Sequence, residues 1–183
     1  MSLIATMPIY HSIPPKLTGQ FLQPLNRMKE SNPELYSEFV EKYRGREFVL
    51  KQRVVNLDCL WNDVLHFSPV HPKFTKQALI NCGIPTQVTR WFEIEPDAHG
   101  FNSSNTSIFL HPVREYGDFT DRAEDFVEYS SDKLSQYTAL PQATLKHYEE
   151  CKRDGKRPLL FCWVPHILHR GQLEISKLQI IEV

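Results

Sequence analysis

Leu57-Asp58-Cys59-Leu60-Trp61-Asn62-Asp63-Val64-Leu65-His66-Phe67-Ser68-Pro69-Val70-His71-Pro72 gathers Trp, Phe, Asn, Asp, Ser, Cys and two His into a span that one strand and one loop can hold. Strands of a globular domain more often carry plain Val, Ile and Thr alternation. This polar-aromatic mixture reads instead as the wall of a pocket. Trp61 to Phe67 is expected as the strand, broken by Pro69. Pro72 to Asn81 follows as a short helix, with Phe74, Ala78 and Leu79 inward and Gly83 beyond its end.

Working outward, the elements are short, because 13 prolines and 7 glycines punctuate the chain. Toward the N-terminus, Ile9 to Ile13 predicts a strand between Pro8 and the Pro14-Pro15 pair. A polar helix from about Leu17 toward Lys29 is expected to be kinked at Pro24, which lacks an amide donor. The next helix is better marked. Ser31-Asn32 offer capping oxygens, Pro33 suits the first turn, and Leu35, Phe39 and Val40 share a face through Tyr43. Glu47 to Val55 reads as a strand from Phe48, Leu50 and Val54.

Toward the C-terminus, Val88 to Glu95 and Thr106 to His111 predict strands around a turn at Gly100–Asn105. Asp121 to Tyr129 and Pro141 to Arg153 predict helices, and Pro158 to Val164 and Leu178 to Val183 predict two final strands. Helices and strands are mixed without strict alternation. The expected class is therefore α+β, one domain over residues 1–183, with mixed or antiparallel sheets and short flanking helices.

Bulk composition excludes more than it assigns. A chain of 183 residues with 41% hydrophobic and 11% aromatic residues can bury one sizeable core. Its 21 basic and 22 acidic residues give a net charge of -1, so nothing pulls it generally toward nucleic acid or an anionic membrane. No apolar run reaches the roughly 20 residues of a membrane helix. Met1 to Pro8 lacks the basic flank and apolar core of a signal peptide. Cys59, Cys82, Cys151 and Cys162 are scattered, which suits free thiols in a reducing cytoplasm.

Several residues carry candidate chemistry. In Tyr10-His11-Ser12, alternation puts Tyr10 and Ser12 on one face and His11 on the other, where an imidazole can bond a ribose or phosphate. Within a strand His66 and His71 fall on opposite faces with prolines between them, so no metal is expected. Cys162, between Phe161 and Trp163, reads as core. Glu93 and Glu95 share a face and can act in general acid–base chemistry, or simply meet solvent. Arg114 can grip a phosphate or pair with Glu115 or Asp118. Lys51-Gln52-Arg53 makes a short basic edge, with Trp61 and Phe67 as stacking partners for a nucleic acid.

The order of these short motifs resembles the ADP-ribosyltransferase fold, in its DNA-modifying toxin branch. Tyr10-His11-Ser12-Ile13 is similar to that branch's opening strand, Lys51-Gln52-Arg53-Val54-Val55 to its basic stretch, and Val64-Leu65-His66-Phe67-Ser68-Pro69 to its aromatic strand. Lys156-Arg157-Pro158 through Val164-Pro165, then Leu178 to Val183, follow its closing layout. The resemblance implies NAD as substrate, with His11 and Ser12 at the ribose and Arg53 and Phe67 at the phosphates and nicotinamide. Trp61, His66 and Ser68 would complete the pocket. The chain departs from the pattern twice. Val70 stands where an Arg is expected, and Pro158 to Trp163 contains no counterpart of the late-strand catalytic glutamate. Glu93, foremost, or Glu95 or Glu174 would have to substitute, or the domain binds without catalysing.

Two functions follow as expectations. One is an ADP-ribosyltransferase-like, NAD- or nucleotide-binding protein whose acceptor is a nucleic acid or a protein. The other is a non-enzymatic interaction module using the aromatic surfaces Trp61–Phe67 and Trp91–Phe92.

Overall fold

The computed structural model describes residues 7–86, 88–114 and 121–183. In chain order the regular elements are β1 (Ile9–Ser12), β2 (Phe21–Leu22), α1 (Leu25–Ser31), α2 (Pro33–Val40), β3 (Arg53–Val54), β4 (Cys59–Leu60), β5 (Leu65–Phe67) and α3 (Pro72–Asn81). There follow β6 (Arg90–Ile94), β7 (Thr106–Phe109), β8 (Phe126–Glu128), α4 (Gln142–Arg153), β9 (His166–His169), β10 (Leu173–Glu174) and β11 (Gln179–Glu182), with 3-10 turns between them. The class is α+β, as the mixed sequence pattern implies.

Two antiparallel sheets frame the molecule, ordered β1-β6-β11 and β5-β9-β7-β8. They meet at one antiparallel bridge between Tyr10 and Ser68, whose amides and carbonyls exchange bonds of 2.8 and 2.9 Å. Alternation explains the packing. Ile9 lies opposite Ile94, and His11 opposite Phe92, so one face of β1 and β6 enters the core. That core joins Ile9, Phe92 and Ile94 to Leu65 and Phe67 of β5, Ile108 of β7 and Ile167 of β9. Burying each such side chain contributes roughly 1.5–3 kcal/mol.

α3 spans the expected residues. The His71 ring caps it by accepting the Lys73 amide at 3.1 Å, and Pro72 opens its first turn. Ala78 and Leu79 point inward, whereas Phe74 is 49% exposed and does not. Asn32 caps α2 by accepting the Leu35 amide, but the helix tightens into a 3-10 turn after Val40. α1 begins only after Pro24, because Leu17–Phe21 turns through Gly19 and Phe21–Leu22 pairs with Leu173–Glu174.

Three expected elements differ in kind. Glu47–Lys51 forms a 3-10 helix with no buried residue; only Arg53–Val54 finds a strand partner, at Cys59–Leu60. Asp121 to Tyr129 contains a strand rather than a helix, because Phe126 and Val127 pair with Phe109 and Ile108. Pro158 to Val164 is a turn. Its Leu160 and Cys162 carbonyls accept from Tyr148 and Thr144 of α4 rather than from a sheet, and Trp163 takes a φ of 65°. The late strand is His166–His169, which inserts between β5 and β7.

Candidate functional site

The sheets separate where β1 and β5 leave their bridge, and the opening is built from ring side chains. Continuing the Tyr10–Ser68 register would place Ser12 opposite His66 as the next hydrogen-bonded rung. That rung does not form. The His11 ring takes the His66 carbonyl instead, with Nδ1 to O at 2.8 Å. A carbonyl only accepts, so His11 carries its proton on Nδ1 and leaves Nε2 as an acceptor. The same ring lies 5.5 Å from Phe67.

His66 is set similarly. Leu65 and Phe67 turn inward, so His66 takes the other face of β5, where its Nε2 donates to the Trp61 carbonyl at 2.9 Å. The Trp61 ring packs 4.7 Å from it. Across the opening stands His166, the first residue of β9, with ring centroids 6.2 Å from His66, 6.2 Å from Trp61 and 5.2 Å from His111. His166 Nδ1 donates to the Val164 carbonyl at 2.6 Å, and His111 Nδ1 reaches the same oxygen at 3.3 Å. Phe109, Phe161 and Trp163 complete the wall.

Burial is the main cause of the histidines' pKa shifts. It holds His11 and His111 below the ordinary imidazole value, His166 well below it, and His66 at about 4. Yet all four residues keep part of their surface open to solvent. Strong desolvation with partial access describes rings packed against one another at the margin of the core. At neutral pH the rings are uncharged, and His11 Nε2, His66 Nδ1 and His166 Nε2 present lone pairs with no partner among the described residues.

Two side chains on the wall sit on left-handed backbone. His111 has φ 49° and Trp163 φ 65°, and their rings are 5.2 Å apart. Left-handed conformations cost a non-glycine residue roughly 1–2 kcal/mol each. Among the described residues Lys42 is the lysine or arginine whose charge lowers both His11 and His66. Its ammonium lies 4.8 Å from the Tyr43 ring centroid, and Tyr43 in turn donates to Asn62 at 3.1 Å, beside Trp61. Desolvation near the Tyr43 ring and the charge of Arg46 hold the amine below the usual lysine value, although the side chain reaches solvent.

Of the residues expected from the sequence, His11, Trp61, His66 and Phe67 come together here. Ser12 pairs with Trp91 and faces away from His11. Ser68 is buried, and its hydroxyl closes a local turn with Val70. Arg53 lies on the β3–β4 hairpin and pairs with the exposed carboxylate of Asp58. Glu93 stands opposite Tyr10, on the face of β6 away from His11, and accepts the Tyr10 hydroxyl. That face also separates it from the depression. Trp91 and Phe92 are 2% and 1% exposed, so the aromatic surface expected there is core. Arg114 pairs with Asp125; Glu115 and Asp118 lie outside the described residues.

His166, His111 and Lys42 had no local signal. In the sequence His111 only ends an expected strand, and His166 and Lys42 stand apart from every motif. Antiparallel insertion of β9 between β5 and β7 is what brings His166 to His66. Among the described residues, no three His, Cys, Asp or Glu side chains converge as metal ligands. No helix among the described residues is long and apolar enough to cross a membrane. No family model matches the sequence, and no curated protein or solved structure is significantly similar to it.

Proposed function

We propose that this chain is an ADP-ribosyltransferase-like domain that binds NAD, or a nucleotide of similar build, in the depression between β1, β5 and β9. One observation carries the reading: three uncharged imidazoles each have their tautomer fixed by a backbone carbonyl and keep a free acceptor nitrogen, and two of them, His66 and His166, flank the partly exposed Trp61. Neutral acceptors suit the hydroxyls of a ribose, while the Trp61 and Phe109 faces suit a flat heteroaromatic ring. Lys42 supplies the positive charge a phosphate requires.

Binding and orientation are better supported than transfer. Among the described residues no carboxylate stands among these rings, and Pro158 to Trp163, where the resemblance calls for an acid, holds none. A depressed imidazole pKa makes a weak base, so activation of an acceptor would be slow. The acceptor, if one is used, is a nucleic acid or a protein. The scattered free thiols suit a cytoplasmic setting.

Calorimetric titration with NAD tests the reading, with His11→Ala and His166→Ala as comparisons. Saturable binding, weakened about fivefold to tenfold by each substitution while the protein stays folded, is the expected result. Absence of binding to the folded wild-type chain would sink it.

A further inference from the structure

A second cleft lies beyond the other end of β9. It encloses about 400 Å³ and is lined by Pro24, Arg27, Asp63, Arg170 and Gly171. Arg27 projects from α1 and Arg170 from the turn that joins β9 to β10. Each guanidinium is held by one neutral bond. Arg27 Nη1 donates to the Gln172 side-chain oxygen at 2.8 Å, and Arg170 Nη1 to the Leu57 carbonyl at 3.3 Å. Among the described residues no carboxylate lies within ion-pair distance of either, whereas Arg44, Arg53, Arg90, Arg114 and Arg153 each pair with one.

The one acid lining the cleft is committed elsewhere. Asp63 accepts the Asn26 side-chain amide on one oxygen and the Leu60 backbone amide on the other, both at 2.8 Å. Two guanidiniums thus border one cleft with their Nε and Nη2 donors unspent, and their mutual repulsion favours an anion between them. Gly171 at the cleft's edge is held to glycine by packing against His169. A Cβ there would come within 2.5 Å of His169 Nε2, whose ring is stacked on Phe101 at 4.0 Å.

We propose that Arg27 and Arg170 form an anion site for a phosphoryl group, free or carried on a nucleotide. Forked donors arriving from two separate elements match the several oxygens of a phosphate better than the two coplanar oxygens of a carboxylate. Guanidinium charge is constant with pH, so only the ligand's own ionisation makes binding pH-dependent. About 13 Å of strand, at roughly 3.3 Å per residue, separates Arg170 from His166. One phosphate therefore cannot touch both places, and the inference stands whether or not the histidine depression takes NAD.

The test is calorimetric titration of the full chain with pyrophosphate and, separately, with ADP, alongside Arg27→Gln and Arg170→Gln. Both arginines are exposed, so the variants should melt with the parent. Saturable binding that each substitution weakens at least about tenfold, and that added salt weakens further, is expected. Tighter binding of ADP than of pyrophosphate assigns the phosphoryl group to a nucleotide; equal binding assigns it to free phosphate. The proposal is overturned by no saturable binding of either probe, or by binding that both variants keep within about twofold of the parent.

Discussion

Tyr10 and His11 are chain neighbours, and they border two different places, a groove and a cluster of histidine rings. Tyr10 borders a groove of about 880 Å³ between β1, α3 and α4, lined by His71, Phe74, Ala78 and Leu140 among others. His11 borders the depression with Trp61, His66, His111 and His166. The groove's walls come from α3, α4 and the loops beside them, with Tyr10 and His71 at its rim. The histidine depression has fixed tautomers, desolvated rings and two left-handed residues. Volume records where helices fail to meet; concentrated strain and desolvation record where a sequence has given up stability for something else.

The comparison can be broken outright in the core beneath the histidine cluster. Phe67 is 2% exposed and packs against His11. Phe67→Ala should cost about 3–5 kcal/mol, as a denaturant melt would show. A melt that falls by less than about 1 kcal/mol would mean that the sheets hold without this contact.

Acid should separate the two sides. His66 and His169 are lowered to about 4, against an unfolded value near 6.5. The unfolded chain then binds more protons between those values, so stability is full above pH 6.5 and falls as pH drops toward 4. Thermal melts across that window should show the loss, and His66→Asn should make it shallower. A flat profile would place these rings in water.

Smaller effects sharpen the contrast. Tyr148→Phe removes the bond to the Leu160 carbonyl and should cost about 1–2 kcal/mol, loosening the turn that carries Phe161 and Trp163. His11→Ala should lower NAD affinity about fivefold to tenfold with little change in melting. Glu93→Gln, on the Tyr10 side, should leave that affinity unchanged. A fall equal to that of His11→Ala would put the two faces in one site.

Local chemistry was legible where it acted locally. Pro72 to Asn81 carried its own cap, its proline and its closing glycine, and the helix matches to the residue. Pairing was less legible. Asp121 to Tyr129 held apolar residues that suit either period, and only Phe109 and Ile108, distant in sequence, made it a strand. Pro158 to Val164 has the composition of a buried strand, but Thr144 and Tyr148 claimed its carbonyls first. In the depression, His11, Trp61, His66 and Phe67 were visible because two short segments held them all. His166 and His111 were not, because nothing nearby in sequence distinguishes a histidine that will meet others from one that will not.

The place of β9 also sets an order of assembly. It lies between β5 and β7, on the order of 100 residues after β5, and β11 closes the edge of the other sheet later still. During synthesis β5 and β7 are made early and wait with unpaired edges until β9 leaves the ribosome. The sheet is completed from its middle, so its folding depends on long-range pairing and is slow. A truncation before His166 would leave two open strand edges, which are templates for aggregation.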